Sequence, residues 1–216
     1  MTQHEYIFIA VSIILGLAIT RLLHTAAMIT RAHSRVIFHW SSAIWTGSVM
    51  LYILQLWWVG WGLRTIEQWT FPDFIILVFG SSCIYGAAEM ALTAPEEGTV
   101  DMLKESQQLG RLSALSMLLY FLVGPYVNIV MYNNAILPSI AVPTIGIVLM
   151  LLVITIPANF KLWSVLFSFY SLAVLALTAL DRPAEGLARL DEALASHPGD
   201  ARLLALRGAL ALGQRQ

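Results

Sequence analysis

Apolar positions dominate the chain in long uninterrupted runs, and polar positions gather in short gaps between them. Crossing a bilayer as a helix takes about 20 mostly apolar residues. Six stretches meet that requirement: 6–29, 36–63, 74–92, 112–131, 137–156 and 162–180. They use up almost all of residues 1–180, and the links are short except for 93–110. The pattern predicts an all-α fold, a polytopic membrane bundle of six transmembrane helices. After residue 180 the pattern changes. Residues 181–216 contain no Ile, Val, Phe, Trp, Tyr or Met and are rich in Ala, Leu and Arg. Leucines there recur at Leu187, Leu190 and Leu194, then at Leu203, Leu206 and Leu210. That spacing predicts two amphipathic helices, each with one apolar stripe. Asp181 and Asp200 stand where N-caps would, and Pro198-Gly199-Asp200 reads as the turn between them. The sequence therefore divides into a membrane domain, 1–180, and a short C-terminal helical hairpin, 181–216.

Boundary residues support the six-span parse. Trp57, Trp58 and Trp61 cluster at the end of the second run, with Trp69 and Phe71 just beyond it. Amphipathic rings gather at membrane–water interfaces. Trp40 and Trp163 are candidates for the opposite interface. Asn133, Asn134 and Pro138 predict a turn, and Pro157 ends the fifth run. Thr93 with Glu96 forms a capping-box pattern, from which a short interfacial helix is expected to start. The first run is read as a retained helix, because residues 1–5 carry no Lys or Arg and the run is too long for a cleaved leader.

Composition narrows the function classes. Of 216 residues, 58% are hydrophobic and 12% charged, and the mean hydropathy is +0.75. Soluble domains are about 25% charged. With 12 basic and 13 acidic residues, the net charge of −1 gives no basic surface for nucleic acid. The single cysteine, Cys83, excludes an intrachain disulfide and a multi-thiolate metal site, and a buried structural role is expected of it. The five histidines show no metal-ligand spacing. No phosphate-binding loop or nucleophile elbow is present. Neither a metal nor a cofactor is expected. A haem held by His24 and His39 ranks last, since no second haem-type feature accompanies them.

Basic residues set the expected orientation. Links 1–2, 3–4 and 5–6 carry Arg31, Arg35, Lys104, Arg111 and Lys161, against Arg64, Arg182 and Arg189 on the other side. Five against three predicts those links in the cytoplasm, with both termini outside and the protein in the inner (plasma) membrane.

Polar residues within the spans are the candidate chemistry. Arg21 and His24 share a face of the first helix. Arg21 lies 15 residues after Tyr6, and Glu89 lies 15 after Phe74, so both sit about 22 Å along parallel helices. His39 falls in a similar layer. Arg21, His24, His39 and Glu89 thus form either a ligand- or proton-handling cluster or, more economically, an Arg21–Glu89 pair that registers helices one and three. Ser82 and Gly86, four apart, form a small-residue face for helix packing or a homo-oligomer contact. Gly124-Pro125 predicts a kink, and carbonyls freed near Asn128 are a candidate ion site.

Two resemblances add to this. Residues 183–212 resemble part of a tetratricopeptide repeat: Gly186 and Ala193 match small helix-B positions, Pro198 the inter-repeat proline, and Leu204 and Gly208 the large and small helix-A positions. Arg207 departs from the leucine usual before that glycine, and the family's aromatic positions are absent. The resemblance implies a protein-binding helical hairpin. Separately, the stretch from Glu5-Tyr6-Ile7-Phe8 through Gly16-Leu17-Ala18-Ile19-Thr20-Arg21-Leu22-Leu23, with Trp57-Trp58, resembles small bacterial multi-span proteins with no assigned activity. The expected function is a non-enzymatic membrane scaffold or assembly subunit, contacting the lipid bilayer and a protein partner or a second copy. The alternative is a small-solute or proton transporter working through Arg21, His24, Glu89 and Asn128.

Overall fold

A computed structural model describes residues 3–66, 68–93 and 99–196, together with 204 and 207. Six long helices account for most of it: α1 (Gln3–Arg31), α2 (Trp40–Gly62), α3 (Phe71–Glu89), α4 (Met102–Tyr126), α5 (Ile136–Thr155) and α6 (Phe160–Ser196). Each contains a segment long and apolar enough to cross a membrane, with Pro157–Thr178 the sixth. The fold is all-α, and the chain is a multi-pass membrane protein by length and composition of its helices. By compactness it divides into two units, Met1–Ser171 and Leu172–Gln216.

In the first unit, α4 packs against α3 and α5, and α3 also packs against α1. The axis is filled with side chains. Leu15, Trp45, Ile53, Ile84, Met117, Met150, Val153 and Phe167 are all fully buried. Several interfaces depend on missing Cβ atoms: one added at Gly110 would lie 2.6 Å from the Phe160 ring, and one at Gly146 would lie 2.9 Å from Phe121.

The end bearing links 1–2, 3–4 and 5–6 is closed by a small clasp. Strands β1 (Val36–Ile37) and β2 (Val100–Asp101) pair in parallel, Val36 against Val100. Beneath them the buried Ser42 hydroxyl donates to the Met102 carbonyl (3.2 Å) and shares a 2.6 Å hydrogen bond with Ser106. Link 5–6 reaches the same end, where Gln107 donates to the Ala158 carbonyl and Arg111 to the Ile154 carbonyl. We call this the clasp end. The three links thus share one end, as alternating spans require.

The opposite, belt end carries the predicted aromatics. Trp57, Trp58, Trp61 and Phe71 are all exposed. The Arg64 guanidinium lies 4.6 Å over the Trp61 ring, a cation–π contact. Trp163 corrects the expected counterpart belt: it is buried, and its indole N–H donates to the Ile156 carbonyl at 2.8 Å. Trp40 at the clasp end is exposed as expected.

Three boundaries differ from the sequence pattern. The fourth helix starts at Met102, ten residues before the apolar run, because Asp101 caps it by accepting the Leu103 and Lys104 N–H groups. The polar stretch after the cap is therefore the first turns of α4; residues 94–98, where the expected interfacial helix would begin, lie outside the described residues. Pro125 lies inside α4 and is followed by a π-helical turn, Val127–Met131, and a left-handed Asn133 (φ 54°) that closes the link. Third, α6 is helical without interruption to Ser196, so Asp181 does not cap a new helix and Pro183 stands within one. The turn at 198–200 and the second hairpin helix lie outside the described residues.

Candidate functional site

The strongest charged feature is the pair expected from depth arithmetic. Arg21 Nη2 lies 2.8 Å from Glu89 Oε1, joining α1 to α3. Its level follows from helix length. Glu89 is the last residue of α3, and both it and Arg21 lie 18 residues beyond the start of their helices. At 1.5 Å per residue that is about 27 Å, close to the full thickness of a hydrocarbon core. That offset puts the pair toward the clasp end, and each side chain is about one-third exposed (37% and 36%). The Arg21 Nε is buried and, among the described residues, has no hydrogen-bond partner.

The two histidines part company. His24 is exposed, one turn beyond Arg21, and among the described residues no hydrogen bond or ion pair joins it to the pair. His39 belongs to the clasp. It is the N-cap of α2: its Nδ1 accepts the Ser41 N–H at 3.2 Å and lies 2.7 Å from the Ser41 hydroxyl. Its ring tilts against Trp40, with centroids 5.4 Å apart. Burial pushes its pKa below the usual histidine value, and Lys161 adds to this, while Asp101 opposes it. The structure therefore brings together Arg21 and Glu89, leaves His24 alongside, and uses His39 for local helix capping.

Asn128 lies elsewhere. It is in the π-turn at the belt end, and its main-chain carbonyl accepts the Asn134 N–H at 2.9 Å. It shares no site with Arg21 and Glu89, which occupy the other end. Gly86 and Ser82 also separate. A Cβ on Gly86 would meet the Ser116 hydroxyl at 3.1 Å, so it is packed against α4, whereas Ser82 is exposed and donates to the Val78 carbonyl of its own helix. Cys83 is buried, as expected.

Three further groups were not singled out from the sequence. Asp73 is buried at the start of α3, where Thr70 donates to Oδ2 through both its main-chain N–H and its hydroxyl. The Tyr126 hydroxyl donates to Oδ1 at 2.8 Å, tying the end of α4 to α3. Thr70-x-x-Asp73 followed by an apolar run was the available signal, since it is a capping-box spacing. The second group links three helices: the Trp45 indole N–H donates to Ser113 Oγ (3.0 Å), and Ser113 donates to the Ala87 carbonyl (2.8 Å). The third is Tyr52, buried among Tyr120, Phe121, Phe167 and Tyr170. Among the described residues its hydroxyl has no hydrogen-bond partner, while the neighbouring Tyr170 and Ser171 hydroxyls donate to the Val142 and Phe167 carbonyls. Neither of those two groups has a sequence signal, because both come from packing between distant helices.

Among the described residues no three His, Cys, Asp or Glu side chains converge in a metal-holding group. A crevice lined at the clasp by Thr93, Val100, Glu105 and Ser106 among others has room for about one water molecule. No family model, curated protein or solved structure matches the chain.

Proposed function

We propose that this chain is a non-enzymatic scaffold or assembly subunit of a bacterial inner membrane. The supporting observation is the filled interior. Bulky side chains occupy the bundle axis, and the charged pair is engaged with itself. Close packing of this kind resists the sliding that alternating access demands. The basic residues of links 1–2, 3–4 and 5–6 favour a cytoplasmic clasp end. The tetratricopeptide-like tail is the partner-binding element in this reading, since a lone repeat unit needs a neighbour to cover its apolar faces.

Copurification from mild detergent tests the reading. An associated chain that is lost on deleting residues 181–216 supports it. A strictly monomeric particle with no associated chain overturns it. Solute or proton flux into proteoliposomes that disappears in Arg21→Ala or Glu89→Ala would instead establish the transporter.

A further inference from the structure

The Arg21–Glu89 pair stands at the clasp end of a strip of exposed and half-buried residues on α1 and α3. Helices α1 and α3 run in the same direction and pack side by side. Counting back from Arg21 by four, seven and eleven residues gives Leu17, Ile14 and Ala10, which share its face. Counting back from Glu89 by four and eleven gives Tyr85 and Val78. All five are exposed or half-buried. The hydroxyls of Thr20 and Ser82 are spent on carbonyls of their own helices, so the Tyr85 phenol is the polar group along an otherwise apolar strip. At its clasp end it meets one carboxylate, one guanidinium and, three residues on, the exposed His24 imidazole.

We propose that this strip seats one phospholipid with a zwitterionic, primary-amine headgroup. Its acyl chain lies along Leu17, Ile14 and Tyr85. Its ammonium bonds to Glu89, and its phosphate bonds to Arg21 and His24. Charge complementarity carries the assignment. An anion alone would meet Glu89, and a cation alone would meet Arg21, whereas a headgroup bearing both signs matches the site. The depth agrees, since Arg21 and Glu89 stand about 27 Å along helices that start at the other face. A primary ammonium is preferred to a quaternary one because it can donate hydrogen bonds to the carboxylate.

The test is native mass spectrometry of the full chain taken from vesicles holding equal amounts of phosphatidylethanolamine, phosphatidylcholine and phosphatidylglycerol. We expect one bound phosphatidylethanolamine, retained about fivefold over phosphatidylcholine, the size of one charge-assisted hydrogen bond. Glu89→Gln should bring that ratio to about one. His24→Ala, an exposed change outside the ion pair, should weaken retention of all three lipids without altering the melting temperature. Equal retention of phosphatidylethanolamine and phosphatidylcholine by the unaltered chain overturns the proposal. So does an unchanged ratio in folded Glu89→Gln, or a dimer that covers the strip and carries no lipid. None of these outcomes depends on whether a protein partner copurifies.

Discussion

Replacing Ser113 by Ala removes the link that joins α2, α3 and α4. The Ser113 hydroxyl accepts from the buried Trp45 indole and donates to the Ala87 carbonyl. Ala87 lies in the last turn of α3, where carbonyls lack partners within the helix. Alanine fits the same space, so little packing is lost. What remains is one orphaned N–H and one orphaned C=O, both in a site where Trp45 and Ser113 are fully buried. Each unsatisfied buried group costs about 1–3 kcal/mol. Hydrogen bonds between membrane helices average less, about 0.6 kcal/mol, because the unfolded chain also finds partners in lipid. Orphaning should exceed that average, so we expect a loss of about 2–3 kcal/mol for two groups. Trp45→Phe combined with Ser113→Ala should cost less than the sum of the single changes, because the double variant leaves no indole N–H without a partner. Reversible unfolding in mixed micelles measures all three. A Ser113→Ala loss below about 0.5 kcal/mol, or strict additivity in the double variant, would refute the reasoning.

Four other outcomes follow. Tyr52→Phe removes a buried hydroxyl that has no partner among the described residues, so it should leave stability unchanged or raise it by up to about 1 kcal/mol, read as an equal or higher melting temperature. Gly110→Ala drives a Cβ into the ring of the buried Phe160 and should cost about 1–3 kcal/mol by the same unfolding assay. The folded-state pKa of His39 is lowered, so the unfolded chain binds the extra proton first. Stability should be complete above the unfolded value near 6.5 and fall as pH drops from there toward the folded value, while His39→Asn, which keeps a capping side chain, should flatten that slope. Breaking the partly exposed ion pair with Arg21→Gln should cost no more than about 1 kcal/mol, and the Arg21→Glu, Glu89→Arg exchange should restore most of it in thermal melts.

Hydropathy alone locates the six spans, since lipid leaves a helix no other way to satisfy its backbone. The Arg21–Glu89 pair is also legible, because two parallel helices of known rise place equal offsets at equal depth. His39 is not part of that pair: residues 36–37 form a strand, pairing with Val100–Asp101 holds that link in the clasp, and the histidine caps α2. The start of α4 escapes the apolar pattern because its first turns are polar, and the signal there is Asp101 as a cap rather than hydrophobicity. Asp73 has a local signature in Thr70-x-x-Asp73, whereas its Tyr126 partner stands 53 residues away and only the fold reveals it. Trp45–Ser113 and Tyr52–Tyr170 are of that second kind.

The paired strands have a consequence for biogenesis. Val36 leaves the translation machinery long before Val100, so the first two spans must wait in the bilayer with one loop unfastened. Closure becomes possible only when the third span has crossed and the start of α4 has emerged. A nascent chain arrested before Val100 has emerged would therefore leave Val36–Ile37 unpaired, and one arrested after Asp101 has emerged would let them pair. The pairing that fastens this end of the bundle waits on the arrival of its second strand.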